Sequence, residues 1–443
     1  MRRDVMNKLI SWKENPGRKP LIIRGARQVG KTWLAKEFGK TMYEKMAYVN
    51  FEDSKALQVL FQADFDIHRI ITALQIETGV QIEAENTLII LDEIQEAEGG
   101  ITSLKYFNEK APQYHVIAAG SLLGIALHTT RSFPVGKVDF MTLYPLNFEE
   151  FVLAMNEAPL LELLKKNDTQ LIKTFRKKYI NLLRHYYYVG GMPEVVSAFR
   201  NNNNFDEVRT LQKQILTAYE QDLSKYAPLD IVPRLRMLWN SIPAQLSKEN
   251  KKFIYSLIRK GARAKDYEHA LSWLVDYGLV YKVKRVSKPS MPLKAYADDS
   301  AFKLFVLDVG LLTAMGDIDV RTLLDGNAIF EEFKGALTEQ YVLQQLMCNH
   351  ADTLFYWSAE GSTGEIDFLM QYRGYVIPIE VKAEENLQAK SLRNYVSKFN
   401  PKIAVRTSMS DYREEDWLVN VPLYMVSNYF LEALKRKKDL EVD

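Results

Sequence analysis

The chain has 443 residues, 47% hydrophobic and 26% charged, enough for about three globular domains of ~150 residues each. Its 58 Lys and Arg against 56 Asp and Glu leave a net charge of +2, which neither demands nor excludes nucleic acid, because any basic surface has to be local. The single cysteine, Cys348, excludes an intrachain disulfide and a Cys-rich structural zinc site, and fits a reducing cytoplasm. The N-terminal MRRDVMNKLISWKENPG has no apolar signal segment, and the most apolar run, Val116–Leu127, is too short to span a bilayer. No membrane partner is therefore expected. There is no internal repeat, and Asn201–Asn204 reads as a loop between helices.

Met1–Trp12 reads as a helix closed by Asn15-Pro16-Gly17, and Leu21–Arg24 as a short apolar strand. Then comes G-x-x-x-x-G-K-[ST], made by Gly25, Ala26, Arg27, Gln28, Val29, Gly30, Lys31 and Thr32 and followed by a helical pattern. The two glycines let backbone N–H groups approach phosphate oxygens. Lys31 is expected to reach the β/γ-phosphates, Thr32 to hold Mg²⁺, and the helix to aim its positive end at the same anion. Met46–Phe51 reads as a strand and Asp64–Thr78 as a helix.

Thr87–Glu93, TLIILDE, describes a buried parallel strand that delivers two carboxylates at its C-terminal edge, where an open α/β sheet places its ligand. Asp92 is expected to bind the Mg²⁺, and Glu93 to polarise the attacking water. The next apolar strand, His115–Ala119, ends in Gly120-Ser121; Ser121 either senses a γ-phosphate or is a simple turn serine. Arg131 and Lys137 either supply a cation to a transition state or are solvated loop charges, the reading favoured here. Val138–Leu143 reads as a further strand.

GARQVGKT, LIILDEIQ, AAGSLLG, PVGKVDFMTLYPLNFEEF and YVGGMPEVV together resemble the AAA-family ATPases of bacteria and archaea that carry a DUF4143 domain. GLVYKV, LFVLDVGLL and GEIDFLM with IPIEVKA extend the resemblance over nearly the whole chain. It implies ATP binding through Gly25–Thr32 and Asp92–Glu93. A glycine-arginine pair is usual in that family where this chain has Gly136-Lys137, and lysine keeps the charge but loses the bidentate fork.

Past Phe148 the pattern is largely helical, through Leu160–Leu164 and Ile172–Leu183. Tyr186–Tyr188 and Val189-Gly190-Gly191-Met192-Pro193 break it into a sharp turn, with the tyrosines read as packing residues. Helices are expected over Val208–Lys225 and over Ile231–Ile242, the latter ended by Pro243. Phe253–Arg259, Gly261, Ala264–Tyr277 and the strand Gly278–Val283 describe a winged helix. Lys251, Lys252, Arg259, Lys260, Arg263, Lys265, Lys282, Lys284, Arg285 and Lys288 cluster around it. This cluster could neutralise DNA phosphates, or the element could be a lid or docking surface; Asp266, Glu268 and Asp276 count against base readout.

Phe302–Met315 reads as strand then helix, Phe330–Met347 as a helix and Thr353–Trp357 as a strand. Glu365–Gln371 and Tyr375–Lys382 form a hairpin around Arg373-Gly374. Glu380 and Lys382 share a strand face, and Asp367 lies on the neighbouring strand. Carboxylates with a lysine suit Mg²⁺-dependent phosphodiester hydrolysis, though a surface strand with ordinary charges gives the same pattern. The segment is similar to the PD-(D/E)xK nuclease core. Matched by position, Glu339 is the helix acid, Asp367 the first strand acid, and Glu380-x-Lys382 completes the motif. Glu365-Ile366 stands where the family's leading proline would be. Asn386–Phe399 reads as a closing helix, Lys402–Arg406 as a strand and KRKKDLEVD as a solvated end.

The expected fold is thus α/β: a P-loop parallel-sheet domain over 1–150, a helical and winged-helix region over 151–300, and a restriction-endonuclease-like α/β domain over 301–443. The expected catalytic residues are Lys31, Glu93, Asp367, Glu380 and Lys382. The expected metal ligands are Thr32, Asp92, Glu339, Asp367 and Glu380, with ATP and Mg²⁺ as cofactors. The leading reading is an ATPase coupled to a DNA-binding, nuclease-like domain. The alternative is a nucleotide-dependent switch whose later domains bind nucleic acid or protein without cutting. Self-association stays open.

Overall fold

The computed structural model describes residues 1–121, 123, 133–248, 251–324, 331–349, 353–359, 364–385, 389–427 and 430–431. Arg131, residues 386–388 and the 435–443 tail lie outside the described residues. The chain forms two units, Met1–Tyr144 with Asp276–Leu279, and Pro145–Val275 with Val280–Asp443.

In the first unit, helix α1 (Val5–Glu14) precedes strand β1 (Leu21–Arg24), and α2 (Lys31–Met42) follows the glycine-bracketed loop. The chain continues through β2 (Lys45–Asn50), α3 (Lys55–Ala63), α4 (Ile67–Thr78), β3 (Thr87–Asp92), α5 (Gly100–Lys110), β4 (His115–Ala119) and β5 (Asp139–Thr142). The five strands are all parallel, in the order β2-β3-β4-β1-β5. Every residue of β3 and β4 is buried, the pattern of strands covered on both faces. Because β4 lies between β1 and β3, the tips of β3 and β4 and the loop after β1 meet at one sheet edge. Helix α4 starts at Asp66, whose carboxylate accepts the His68 N–H, and stops at left-handed Gly79. Sequence reasoning missed α3 and α5. Gly99-Gly100 looks like a breaker, yet Gly99 at φ +81° starts α5, which buries Ile101, Leu104 and Phe107.

The second unit opens with the helix Phe148–Ala154. A capping box fixes its start: Asn147 accepts the Glu150 N–H, and the Glu150 carboxylate accepts the Asn147 N–H. Arg176–Val189 is one continuous helix that includes Tyr186, Tyr187 and Tyr188, so the tyrosines do not break the pattern. All three are buried, and Tyr186 meets Phe148 and Tyr341 edge-on at 5.7 and 5.8 Å. The break comes at Gly190-Gly191, where an added Cβ would stand 2.1 Å from Asp308 Oδ1 or from the Leu146 carbonyl oxygen, respectively. Asp308 caps the helix Val309–Met315 and also accepts the Gly191 N–H at 2.7 Å, which locks that helix to the turn. The helix Val232–Leu246 runs through Pro243 instead of ending there. Burial of Leu238, Trp239, Ile242 and Leu246 offsets the lost hydrogen bond.

The rest of this unit is built on an eight-stranded mixed sheet. Its strands are β6 (Val280–Val286), β7 (Ala297–Val306), β8 (Phe355–Ser358), β9 (Glu365–Tyr372), β10 (Tyr375–Val381), β11 (Ala404–Ser408), β12 (Arg413–Glu414) and β13 (Leu418–Pro422). Their order is β12-β13-β11-β10-β9-β8-β6-β7. The β9–β10 hairpin turns at Arg373 and Gly374, both with positive φ (+45° and +83°), as a tight two-residue connection requires. The expected winged helix takes a different form. Phe253–Arg259 holds only a short 3₁₀ turn, Tyr255–Leu257, because Phe253 is drawn onto the sheet, stacking on Phe302 and donating its N–H to the Phe302 carbonyl. The expected wing strand is β6, paired antiparallel to β7 and parallel to β8 inside the large sheet.

Replacing Asn147 by Ala removes one member of the buried capping box. It is expected to lower the unfolding free energy by about 1–2 kcal/mol. Urea titration followed by circular dichroism checks this, and an unchanged midpoint would show that the box contributes nothing.

Candidate nucleotide site and a buried lysine cluster

The loop after β1 is held in a conformation that few side chains tolerate. Gly25, Gln28 and Gly30 have φ of +145°, +65° and +93°. A Cβ on Gly25 would stand 2.2 Å from the Leu143 carbonyl oxygen, so only glycine fits where the loop passes β5. Buried Arg3, which sequence reasoning missed, braces the loop by donating to the Val29 and Tyr144 carbonyls at 3.2 and 2.6 Å. Lys31 opens α2 and is only 7% exposed. Its ammonium donates to the carbonyls of Gly25 at 2.9 Å and Ala26 at 2.8 Å. Burial lowers its pKa to about 8, against the opposing pull of the Glu93 and Asp92 carboxylates.

The sheet edge brings the other expected residues together. Thr32 Oγ1 donates to Asp92 Oδ2 at 2.7 Å, and the Tyr48 hydroxyl donates to the same oxygen at 3.1 Å. Burial, then the charge of Asp92, pushes the Tyr48 hydroxyl above its usual range. Tyr48 carried no motif; its only sequence signal was its place on β2, which pairs with β3. The Thr32 hydroxyl and the Asp92 carboxylate are hard oxygen donors already within 2.7 Å of each other, and they fit Mg²⁺. Glu93 sits at φ +48°, an unusual conformation for glutamate that aims its carboxylate across the edge. Its Oε2 accepts from Gln95 Nε2 at 2.5 Å, the Ser121 N–H at 3.1 Å and the Ser121 hydroxyl at 3.3 Å. Lys137 pairs with Glu109 at 3.0 Å.

The expected C-terminal residues fall into two groups. Glu380 Oε1, on β10, pairs at 2.7 Å with Lys382, one residue past the end of that strand. Asp367, on β9, accepts the Val381 N–H at 2.7 Å. Glu339, in the helix Glu331–Asn349, instead accepts from Lys251 at 2.5 Å. Sequence reasoning missed Lys303, on β7, whose ammonium lies among Glu365, Glu339 at 3.5 Å and Asp367 at 4.0 Å. Among the described residues no group of three or more His, Cys, Asp or Glu is disposed to hold a metal ion. With an ammonium between its carboxylates, this set does not fit a divalent cation.

Comparison with known families places a P-loop ATPase-like domain over the nucleotide loop: residues 17–152 match the AAA domain family. Residues 180–322 match a domain of unknown function, DUF8612, and residues 334–425 match another, DUF4143. No curated protein matches the chain. Among solved structures, a Walker-type ATPase of Pyrococcus abyssi is similar at 16% identity and a TM-score of 0.45, over 71% of this chain and 95% of that one. The ORC1 protein of Aeropyrum pernix, solved in complex with DNA, is similar at 11% identity and a TM-score of 0.30, over 72% of this chain and 93% of that one. No helix among the described residues is long and apolar enough to cross a membrane.

The depressed Lys31 pKa gives a pH signature. A bound phosphate stabilises the ammonium, so above pH about 8 nucleotide binding must take up a proton. Affinity is then expected to fall toward about tenfold per pH unit. Below that pH it is flat with respect to Lys31. Calorimetric titration from neutral to alkaline pH, in buffers of different ionisation enthalpy, tests this. Affinity and proton uptake that do not change across pH 8 contradict it, and Lys31→Arg removes the effect.

Proposed function

We propose that the chain binds ATP with Mg²⁺ in the Gly25–Thr32 loop and hydrolyses it, and that the nucleotide state acts as a switch for a second unit that engages nucleic acid or protein without cutting. The observation that carries the reading is the convergence of Lys31, Thr32, Asp92 and Glu93 on one sheet edge, with Thr32 and Asp92 2.7 Å apart. Lys31 exchanges the Gly25 and Ala26 carbonyls for phosphate oxygens, which return the full charge that burial costs it. Thr32 and Asp92 would hold Mg²⁺, which neutralises charge on the phosphate oxygens when bound. Glu93 accepts the proton of the attacking water, and Ser121 and Gln95 fix the rotamer from which it does so. The Tyr48 hydroxyl steadies the Asp92 oxygen that Thr32 also uses.

The coupled nuclease reading gains less support. Of the basic residues that could face DNA, Lys251, Lys284 and Arg285 are already paired with Glu339, Asp299 and Asp298. Arg259, Lys260, Arg263 and Lys265 are exposed, which keeps nucleic acid among the candidate partners. The exposed Asp266 and Glu268 on the helix Ala264–Asp276 disfavour base reading there.

Mg²⁺-dependent ATP hydrolysis is expected to disappear in Lys31→Ala. In Glu93→Gln, turnover should drop by about 10²–10⁴-fold while nucleotide still binds. A phosphate-release assay with a parallel nucleotide-binding titration measures both, and unchanged turnover in either variant sinks the assignment. For the partner, DNA affinity measured across a salt series is expected to show a shallow slope, because Lys251, Lys284 and Arg285 of the basic cluster are already held by carboxylates. A steep slope lost on neutralising Arg259, Lys260 and Arg263 returns DNA to the centre of the mechanism.

A further inference from the structure

We propose that Lys303 is a resident cation: its ammonium takes the place of a divalent metal in the nuclease-like cluster, so that the second unit is built without metal-assisted cleavage and carries a divalent-cation site that only removal of Lys303 would uncover. Lys303 faces Val283 across the β6–β7 ladder and is 0% exposed. Its ammonium pairs with Glu365, lies 3.5 Å from Glu339 Oε2 and 4.0 Å from Asp367 Oδ1, and sits 5.1 Å from the Tyr356 ring centre. Fully buried, the ammonium has these carboxylate oxygens as its counter-charges.

The geometry shows how Glu339, Asp367 and Glu365 share the ammonium. Glu339 divides its oxygens between Lys251 and Lys303. Asp367 gives Oδ2 to the Val381 N–H and turns Oδ1 toward Lys303. Glu365 is the partly open member, its side chain 26% exposed. Hard divalent cations need carboxylate oxygens at roughly 2.0–2.6 Å. Lys303 Nζ fills the space between these oxygens. Removing the ammonium would leave three carboxylates facing a vacated volume, open to solvent on the Glu365 side. Such a set is costly unless a cation replaces it. The inference is independent of the P-loop reading.

Thermal melting of the full chain without nucleotide, in Mn²⁺ against EDTA, tests it. Wild type is expected to show no Mn²⁺-dependent shift that Asp367→Asn removes. Lys303→Ala is expected to be less stable in EDTA and to regain about 5 °C or more in millimolar Mn²⁺. The double variant Lys303→Ala/Asp367→Asn should lose that gain. If Lys303→Ala does not fold in EDTA, recovery of its folded circular dichroism on refolding in Mn²⁺ gives the same support. The proposal is overturned if wild type gains Mn²⁺ stabilisation that Asp367→Asn abolishes, or if Lys303→Ala gains none and stays unfolded or unstabilised in Mn²⁺.

Discussion

An ammonium taken out of water needs negative charge close by, and this chain meets that demand in two opposite ways. Lys31 is buried among backbone carbonyls, with the carboxylates of Asp92 and Glu93 near enough to moderate its loss of charge but not to cancel it. Lys303 is buried among carboxylates that overcompensate it. The first arrangement is electrostatically incomplete and favours the arrival of an anion. The second is closed, because the ammonium itself occupies the space between the carboxylates. One residue type thus makes one place receptive and another inert, and the difference lies wholly in what surrounds the amine.

The receptive place depends on strand order. With β4 between β1 and β3, the tip of β4 sits between the Gly25–Thr32 loop and the Asp92–Glu93 pair. Ser121 can then donate to Glu93 from the side. Loop, carboxylates and hydroxyl all hang on rigid parallel strands, and Gly25 lets the loop pass close to β5. Arg3 adds a brace from outside the sheet, so a residue distant in sequence contributes to the shape of the loop.

Much of this was legible in the residues. The strand–loop–helix at Leu21–Met42, the apolar strand ending in Asp92-Glu93 and the hairpin at Arg373-Gly374 announce themselves by local pattern, and each has its place in the structure. Features that depend on distant contacts were not legible. Phe253 leaves its expected helix because Phe302, nearly fifty positions later, offers a stacking face. Pro243 stays inside a helix because tertiary burial outweighs the missing donor. Lys303 has no motif: in sequence it is one charge in the apolar stretch Ala301–Val306, and only the fold brings Glu365 of β9 and Glu339 of the helix Glu331–Asn349 to it. Tyr48 and Arg3 were hidden for the same reason.

The depressed proton affinity of Lys31 also has a chemical consequence. Near pH 8 about half of these amines carry a free lone pair, whereas an ordinary surface lysine is almost wholly protonated there. A free amine is a nucleophile, so an electrophile delivered by a phosphate-bearing scaffold meets a reactive partner in Lys31. Lys303, held protonated by its carboxylates, is silent toward the same reagent. The two buried amines are therefore chemically orthogonal handles, one open to selective covalent capture in the nucleotide-free protein and the other protected by its own salt bridges.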